Sequence, residues 1–204
     1  MTIDLSQCTD RELAALADAG TGAGAGSGRQ DVYREFLARY KAPVFRLIRS
    51  NVGDADEAMD LTQESFVAAF AALGRYDGGR PFYSWIARIA LNKCRDWGRR
   101  RAVRAFFTRA LPLETAYDVA GDTPAVDVEA ADRAELARVQ RAIADLPARL
   151  REVIVLRAVE ELSQAETAAL LDVSEKTVET RLYRARARLR TMLGAAGEDS
   201  DSIG

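Results

Sequence analysis

The chain has 204 residues, 48% of them hydrophobic and 29% charged, with a net charge of −2 and a pI near 5.4. That balance describes a globular protein of one moderate or two small domains and leaves any polyanion contact to local patches. With no histidine and with Cys8 and Cys94 in unrelated surroundings, a metal site, a disulfide framework and the commonest general base are all disfavoured.

No run approaches the ~18 apolar residues of a membrane span, and no basic-then-apolar leader pattern is seen, so the protein is expected to stay in the cytoplasm. Residues 9–19 read as a short helix, with Thr9 and Glu12 at capping-box spacing. The glycine-rich stretch 20–28 has neither a preceding strand nor a Gly-Lys-Ser/Thr ending, so it reads as a flexible linker, not a phosphate loop. A helix is expected from about 31 to 50, kinked or divided at Pro43. Asp54 and Glu57 would cap the next, about 55–73, and Pro81 would start another after the loop Asp77-Gly78-Gly79.

The stretch that follows, FYSWIARIALNKCRDWGRRR at 82–101, separates into two helical stripes. Phe82, Trp85, Ile86, Ile89 and Cys94 form an apolar face, and Arg88, Asn92, Arg95 and Arg99 a basic one with a single amide. Between Arg75 and Arg109 ten positive residues face only Asp77 and Asp96, a local charge of +8. An ordinary amphipathic helix with a solvated basic face has the same pattern. Combined with the local charge, the stripe suits nucleic acid. Trp85 lies on the apolar stripe, which assigns it to the core in preference to base stacking.

Residues 111–130 lack periodicity and hold two prolines, a glycine and five acids, which marks a linker dividing the chain into similar halves. Helices are expected at about 131–145, 148–159, 164–171 and 175–193, followed by a disordered acidic tail. The fold class is all-α: two small helical domains, 29–105 and 131–194, joined by the linker 106–130, with a short helix and linker at 1–28 and a tail at 195–204.

Residues 162–190 have the pattern of a helix-turn-helix. Ser163 and Glu166 form a capping box, small Ala168 permits close crossing, and Asp172 occupies a turn position that needs a left-handed backbone. Val178 and Leu182 face the core, and Lys176, Thr177, Glu179, Thr180, Tyr183 and Arg184 face outward. From Lys176 to Arg190 the local charge is +5. Such a helix sets its N-terminal residues on base edges in the major groove while basic residues reach phosphates.

Taken together, DLTQESF at 60–66, RYDGGRPFYSWIARIALNKCRDWGRRR at 75–101 and residues 146–190 resemble the extracytoplasmic-function (ECF) sigma factors of the sigma-70 superfamily. The resemblance spans about 29–101 (region 2) and 131–193 (region 4). Gly98, Thr167 and Lys176 depart from the residues frequent there. The resemblance implies that Asp56, Asp60, Gln63 and Glu64 dock on RNA polymerase core, at the coiled coil of its largest subunit, with the flap as a further contact. It implies that Asn92 contacts a flipped base of the −10 element, with Arg80, Arg88, Arg95, Arg99 and Arg100 along the strand. At the −35 element it implies Lys176, Thr177, Glu179, Thr180, Arg181, Tyr183 and Arg184. It further implies an anti-sigma factor, a stress or envelope-response regulon and, through that inhibitor, a site at the membrane without insertion. No cofactor or catalytic residue is expected. A stand-alone repressor or activator would use only the second half. A recombinase or nuclease would need a nucleophile or clustered carboxylates, and the sequence offers no convincing set.

Overall fold

The structure, a computed structural model, describes residues 4–19, 26–110 and 128–198, with side chains over 4–19, 28–107 and 133–194. A 3-10 turn at Leu5–Gln7 leads into α1, Asp10–Ala19, closed by the expected box: Thr9 N–H donates to Glu12 Oε2 at 2.8 Å and Glu12 N–H to Thr9 Oγ1 at 3.3 Å. Leu13 and Ala17 are its buried face. Arg39 staples this segment down, reaching Asp10 at 3.3 Å and the Leu5 and Ser6 carbonyls at 3.0 Å each.

Helix α2 is Gly26–Val52, so part of the glycine-rich stretch is helical. Residues 20–25 lie outside the described residues. Of the two outcomes expected at Pro43, a kink or a division, the division does not occur: the helix is continuous through it. Pro43 removes one amide donor, but Val44, Leu47 and Ile48 just beyond it are fully buried, and their packing favours continuing the helix past it. Gly53, at φ +79°, ends α2 with its N–H on Arg49 O at 3.0 Å.

Helix α3 is Ala55–Ala71, capped by Asp54, whose carboxylate accepts from Glu57 N–H at 2.9 Å. A 3-10 turn, Leu73–Arg75, then leads through the loop to α4, Phe82–Ala110. Phe82 sits at the middle of the aromatic core of α2, α3 and α4, 4.1 Å from Phe36 between ring centroids, 5.1 Å from Tyr40 and 5.4 Å from Tyr76. Trp97, missing from the expected apolar stripe, is buried where α4 meets the start of α3, and its indole N–H donates to Glu57 Oε2 at 2.8 Å.

Residues 111–127, most of the expected linker, lie outside the described residues. The second half comprises α5, Val128–Ala144; α6, Ala148–Ala158; α7, Gln164–Leu171; and α8, Glu175–Glu198. Helix α8 therefore continues into the stretch expected to be a disordered tail, whose last residues, 199–204, are not described. The core of this half is Val153, Val155 and Leu156 of α6 with Ala168, Leu170, Val178 and Ala185. The two halves touch: α2 packs on α5 and α6, and α4 on α7. Among the described residues there is no strand, and the fold is all-α.

Candidate nucleic-acid interface

Two helices carry the surfaces expected to meet DNA. The turn before α8 is built as its residues require. Both halves of the Ser163–Glu166 capping box form, and Asp172 adopts φ 56°, ψ 53°. Ser174 Oγ accepts from Thr177 N–H at 3.2 Å and starts α8. Gln164 Nε2 donates to Glu175 O at 3.2 Å, which ties the first turns of α7 and α8 together. With Val178 fully buried, the opposite face turns outward: Lys176, Glu179, Thr180, Tyr183 and Arg184 are exposed, and Thr177 and Arg181 half-buried. Lys176 Nζ holds Glu179 Oε2 at 3.0 Å, and Thr180 Oγ1 donates to Lys176 O at 2.9 Å. Five of the seven residues expected at the −35 element thus form one outward patch, with Thr177 at its edge and Arg181 turned toward the cleft between α8, α6 and α4.

On α4, the stripe of Arg88, Asn92, Arg95 and Arg99 also forms, with Arg88, Asn92 and Arg99 exposed and Arg95 half-buried. It is not bare. Arg88 Nη2 donates to Ala169 O at 2.7 Å and Nε to Leu170 O at 3.2 Å, both at the C-terminal end of α7. Arg95 grips the Glu152 carboxylate of α6 with both arms, at 2.6 and 2.8 Å, and gives Nη1 to Asn92 Oδ1 at 2.9 Å. The hydrogen bond to Glu152 raises the Arg95 pKa above its ordinary value. Arg99 pairs with Asp96 on its own helix, Arg101 lies over the Trp97 ring at 5.2 Å, and Arg80 and Arg100 are exposed.

Beside this stripe the loop before α4 is pinned by Tyr76 Oη donating to Arg80 O at 2.6 Å and by Gly79 N–H donating to Asp77 Oδ1 at 2.9 Å. Gly78, at φ +66°, turns under Arg11 of α1; a Cβ there would come within 2.8 Å of the Arg11 side chain. Loop, α4 and α7 enclose a cavity of about 400 Å³ whose wall includes Tyr76, Arg80, Trp85 and Arg88. Trp85 is only half-buried: it packs on Phe82 and Tyr76 and also lines the cavity, so its assignment to the core is half of the picture. The first-domain side of this cavity offers an aromatic wall to a base and cations to a phosphate chain, and α7 covers it.

The third surface lies on α3. Asp56, Asp60, Gln63 and Glu64 are all exposed, with Phe66 buried on the far side and Lys93 Nζ 3.0 Å from Glu64 Oε2. Met59 and Val67 are exposed among them, 38% and 69%, and give the acidic face an apolar centre that charge patterning alone had not revealed. Sequence reasoning also missed Glu152, Glu160, Arg46 and Tyr83, which join the two halves. A lone glutamate inside the apolar run REVIVL was the one available signal.

Residues 36–104 match the family model described as Sigma-70 region 2, and residues 136–189 the one described as Sigma-70, region 4. The chain is 42% identical to the RNA polymerase sigma factor CnrH of Cupriavidus metallidurans over 185 residues, 89% of this chain and 97% of that protein. It is 31% identical to the ECF RNA polymerase sigma factor SigW of Bacillus subtilis over 172 residues, 81% of this chain and 91% of that one. Among solved structures, CnrH in complex with the cytosolic domain of CnrY superposes with a TM-score of 0.61 at 35% identity, covering 95% of this chain and 99% of that chain.

Proposed function

Since the chain belongs to the ECF branch of the sigma-70 family of RNA polymerase sigma factors, transcription initiation factors and not enzymes, we propose how its three surfaces divide that work. The exposed acidic and apolar face of α3 (Asp56, Asp60, Gln63 and Glu64 around Met59 and Val67) docks on the polymerase core, at the coiled coil of its largest subunit. The Tyr76 and Trp85 wall and the basic stripe of α4 take the opened −10 strand once α7 has moved away, with the Asn92 amide reading an extruded base and Arg80, Arg88, Arg95, Arg99 and Arg100 on phosphates. The outward patch of α8 reads the −35 duplex in the major groove. The domains divide as 29–105 for core and −10 binding and 131–194 for −35 binding, and the polymerase performs the chemistry.

The observation that carries this reading is the coexistence, on one chain of net charge −2, of two separate basic helical faces and one acidic docking face. A stand-alone repressor has no use for the last. The test is transcription by purified core plus this chain from promoters mapped after overexpression. Asn92→Ala should weaken −10 selection, and Arg184→Ala should cost about 1–3 kcal/mol of −35 affinity. Unchanged promoter choice in both variants would defeat the residue assignments.

An anti-sigma factor is the second part of the proposal. The similar CnrH has been solved with the cytosolic domain of CnrY, which supports a protein partner of like kind here; in this reading it acts as an inhibitor that retains the chain at the membrane and releases it to a stress or envelope-response regulon. No helix among the described residues is long and apolar enough to cross a membrane. Affinity purification from unstressed cells should recover such a partner. Recovery of polymerase subunits alone would count against it.

A further inference from the structure

Resting on the assignment of the Arg88–Asn92–Arg95 stripe to the −10 strand, we infer that the free chain masks this stripe with its own helix-turn-helix domain. The partner it recognises there is the carbonyl end of α7 together with two buried glutamates. Three anchors carry the inference. The Arg88 guanidinium takes the carbonyls of Ala169 and Leu170 at 2.7 and 3.2 Å. These oxygens belong to the negative end of a helix dipole and offer Arg88 the kind of acceptor a DNA phosphate would. Arg95 closes fork-to-fork on Glu152, whose side chain is 4% exposed, and through Nη1 also occupies the acceptor oxygen of Asn92. Across the interface Glu160, its side chain 2% exposed, accepts from Arg46 of α2 at 3.0 and 3.3 Å and from the Tyr83 hydroxyl of α4.

A carboxylate shielded from water is tolerated only where cations and donors meet it. Glu152 and Glu160 find theirs across the interface, on the first domain. The docking is therefore specified by charge, and the groups that specify it include the arginines that DNA would require. The masking is also selective. Lys176, Tyr183 and Arg184 on α8 face outward, as do Asp56, Asp60 and Gln63 on α3. Core polymerase and the −35 duplex can engage the closed chain, whereas the −10 strand must wait until the halves part. A site open only part of the time has its apparent affinity reduced by the open fraction.

The test uses the full chain and the double variant Glu152→Gln/Glu160→Gln, which removes both buried charges without touching a proposed DNA contact. Small-angle X-ray scattering should show a larger radius of gyration. A fluorescent oligothymidylate, whose phosphates need no sequence match, should bind about tenfold tighter. Arg46→Met, on a half-exposed side chain of α2, should move both readouts the same way by less. Asp31→Asn/Glu135→Gln, equal in charge but at the exposed surface, should move neither. If both latch variants stay folded by circular dichroism and keep wild-type size and affinity, the inference is overturned. Expansion without tighter binding also overturns the masking. The underlying −10 assignment is read separately, from Arg88→Ala in preformed holoenzyme: undiminished promoter opening there sinks that assignment alone.

Discussion

Thr167 shows how a single atom can work against its surroundings. Its side chain is wholly buried on α7, and its hydroxyl meets no hydrogen-bonding protein atom. An unpaired buried hydroxyl costs about 1–3 kcal/mol, and valine has nearly the same shape without it. Thr167→Val should therefore raise the unfolding free energy by about 1–2 kcal/mol in a denaturant titration, with −35 binding unchanged. Cys94 is a second buried group with a measurable signature. Burial pushes its thiol up to about 12 from an ordinary 9. The folded state then holds a proton that the unfolded chain loses first, so this contribution to stability is intact below about pH 9 and declines toward pH 12. Cys94→Ala should flatten the alkaline limb of stability against pH. In the native protein at neutral pH, alkylation should fall on Cys8, which is half-exposed, and spare Cys94.

At the scale of elements, the side-chain-capped helix starts were legible because their signals are local, whereas α2, with no such cap, begins at Gly26 and not at about 31. Thr9–Glu12, Asp54 and Ser163–Glu166 each cap where spacing placed them, and Asp172 takes the left-handed turn its position called for. A division at Pro43 does not occur because a proline's effect depends on what lies beyond it, here Val44, Leu47 and Ile48 pressed into the core. The basic stripe of α4 was legible as periodicity, but what covers it was not. The covering groups lie 57 residues away at Glu152 and about 80 away at Ala169 and Leu170, and periodicity within one helix does not encode its distant neighbours. Trp97 was missed although it stands three residues past Cys94, where the apolar stripe simply continues. Gly53 is the element-scale joint most open to test. Its φ of +79° and the Ala144 Cβ, which would lie 2.8 Å from an added Cβ, both demand glycine where α2 ends against α5. Gly53→Ala should lower stability by about 1–2 kcal/mol from backbone strain alone, with the methyl overlap adding to it. Thermal unfolding is the check.

Over the whole molecule, an acidic total charge coexists with basic faces because the charges are sorted by surface. Acid stands on α3 and at the seam between the halves, and base on α4 and α8. The seam spends some of the cations of α4 internally, and this reaches into solution behaviour through small ions. A cation that settles on a phosphate releases a condensed counterion from the strand, at about 0.9 per contact on duplex and about 0.7 on single strands. When Arg95 leaves Glu152 for a strand, that carboxylate is laid bare and gathers sodium from the medium, which offsets part of the release. The unmodified chain should therefore lose affinity for single strands less steeply with rising salt than Glu152→Gln, by less than the ~0.7 in the slope of log K against log salt that one contact contributes. Equal slopes for the two proteins would mean that the bared carboxylate draws no ion from the solution.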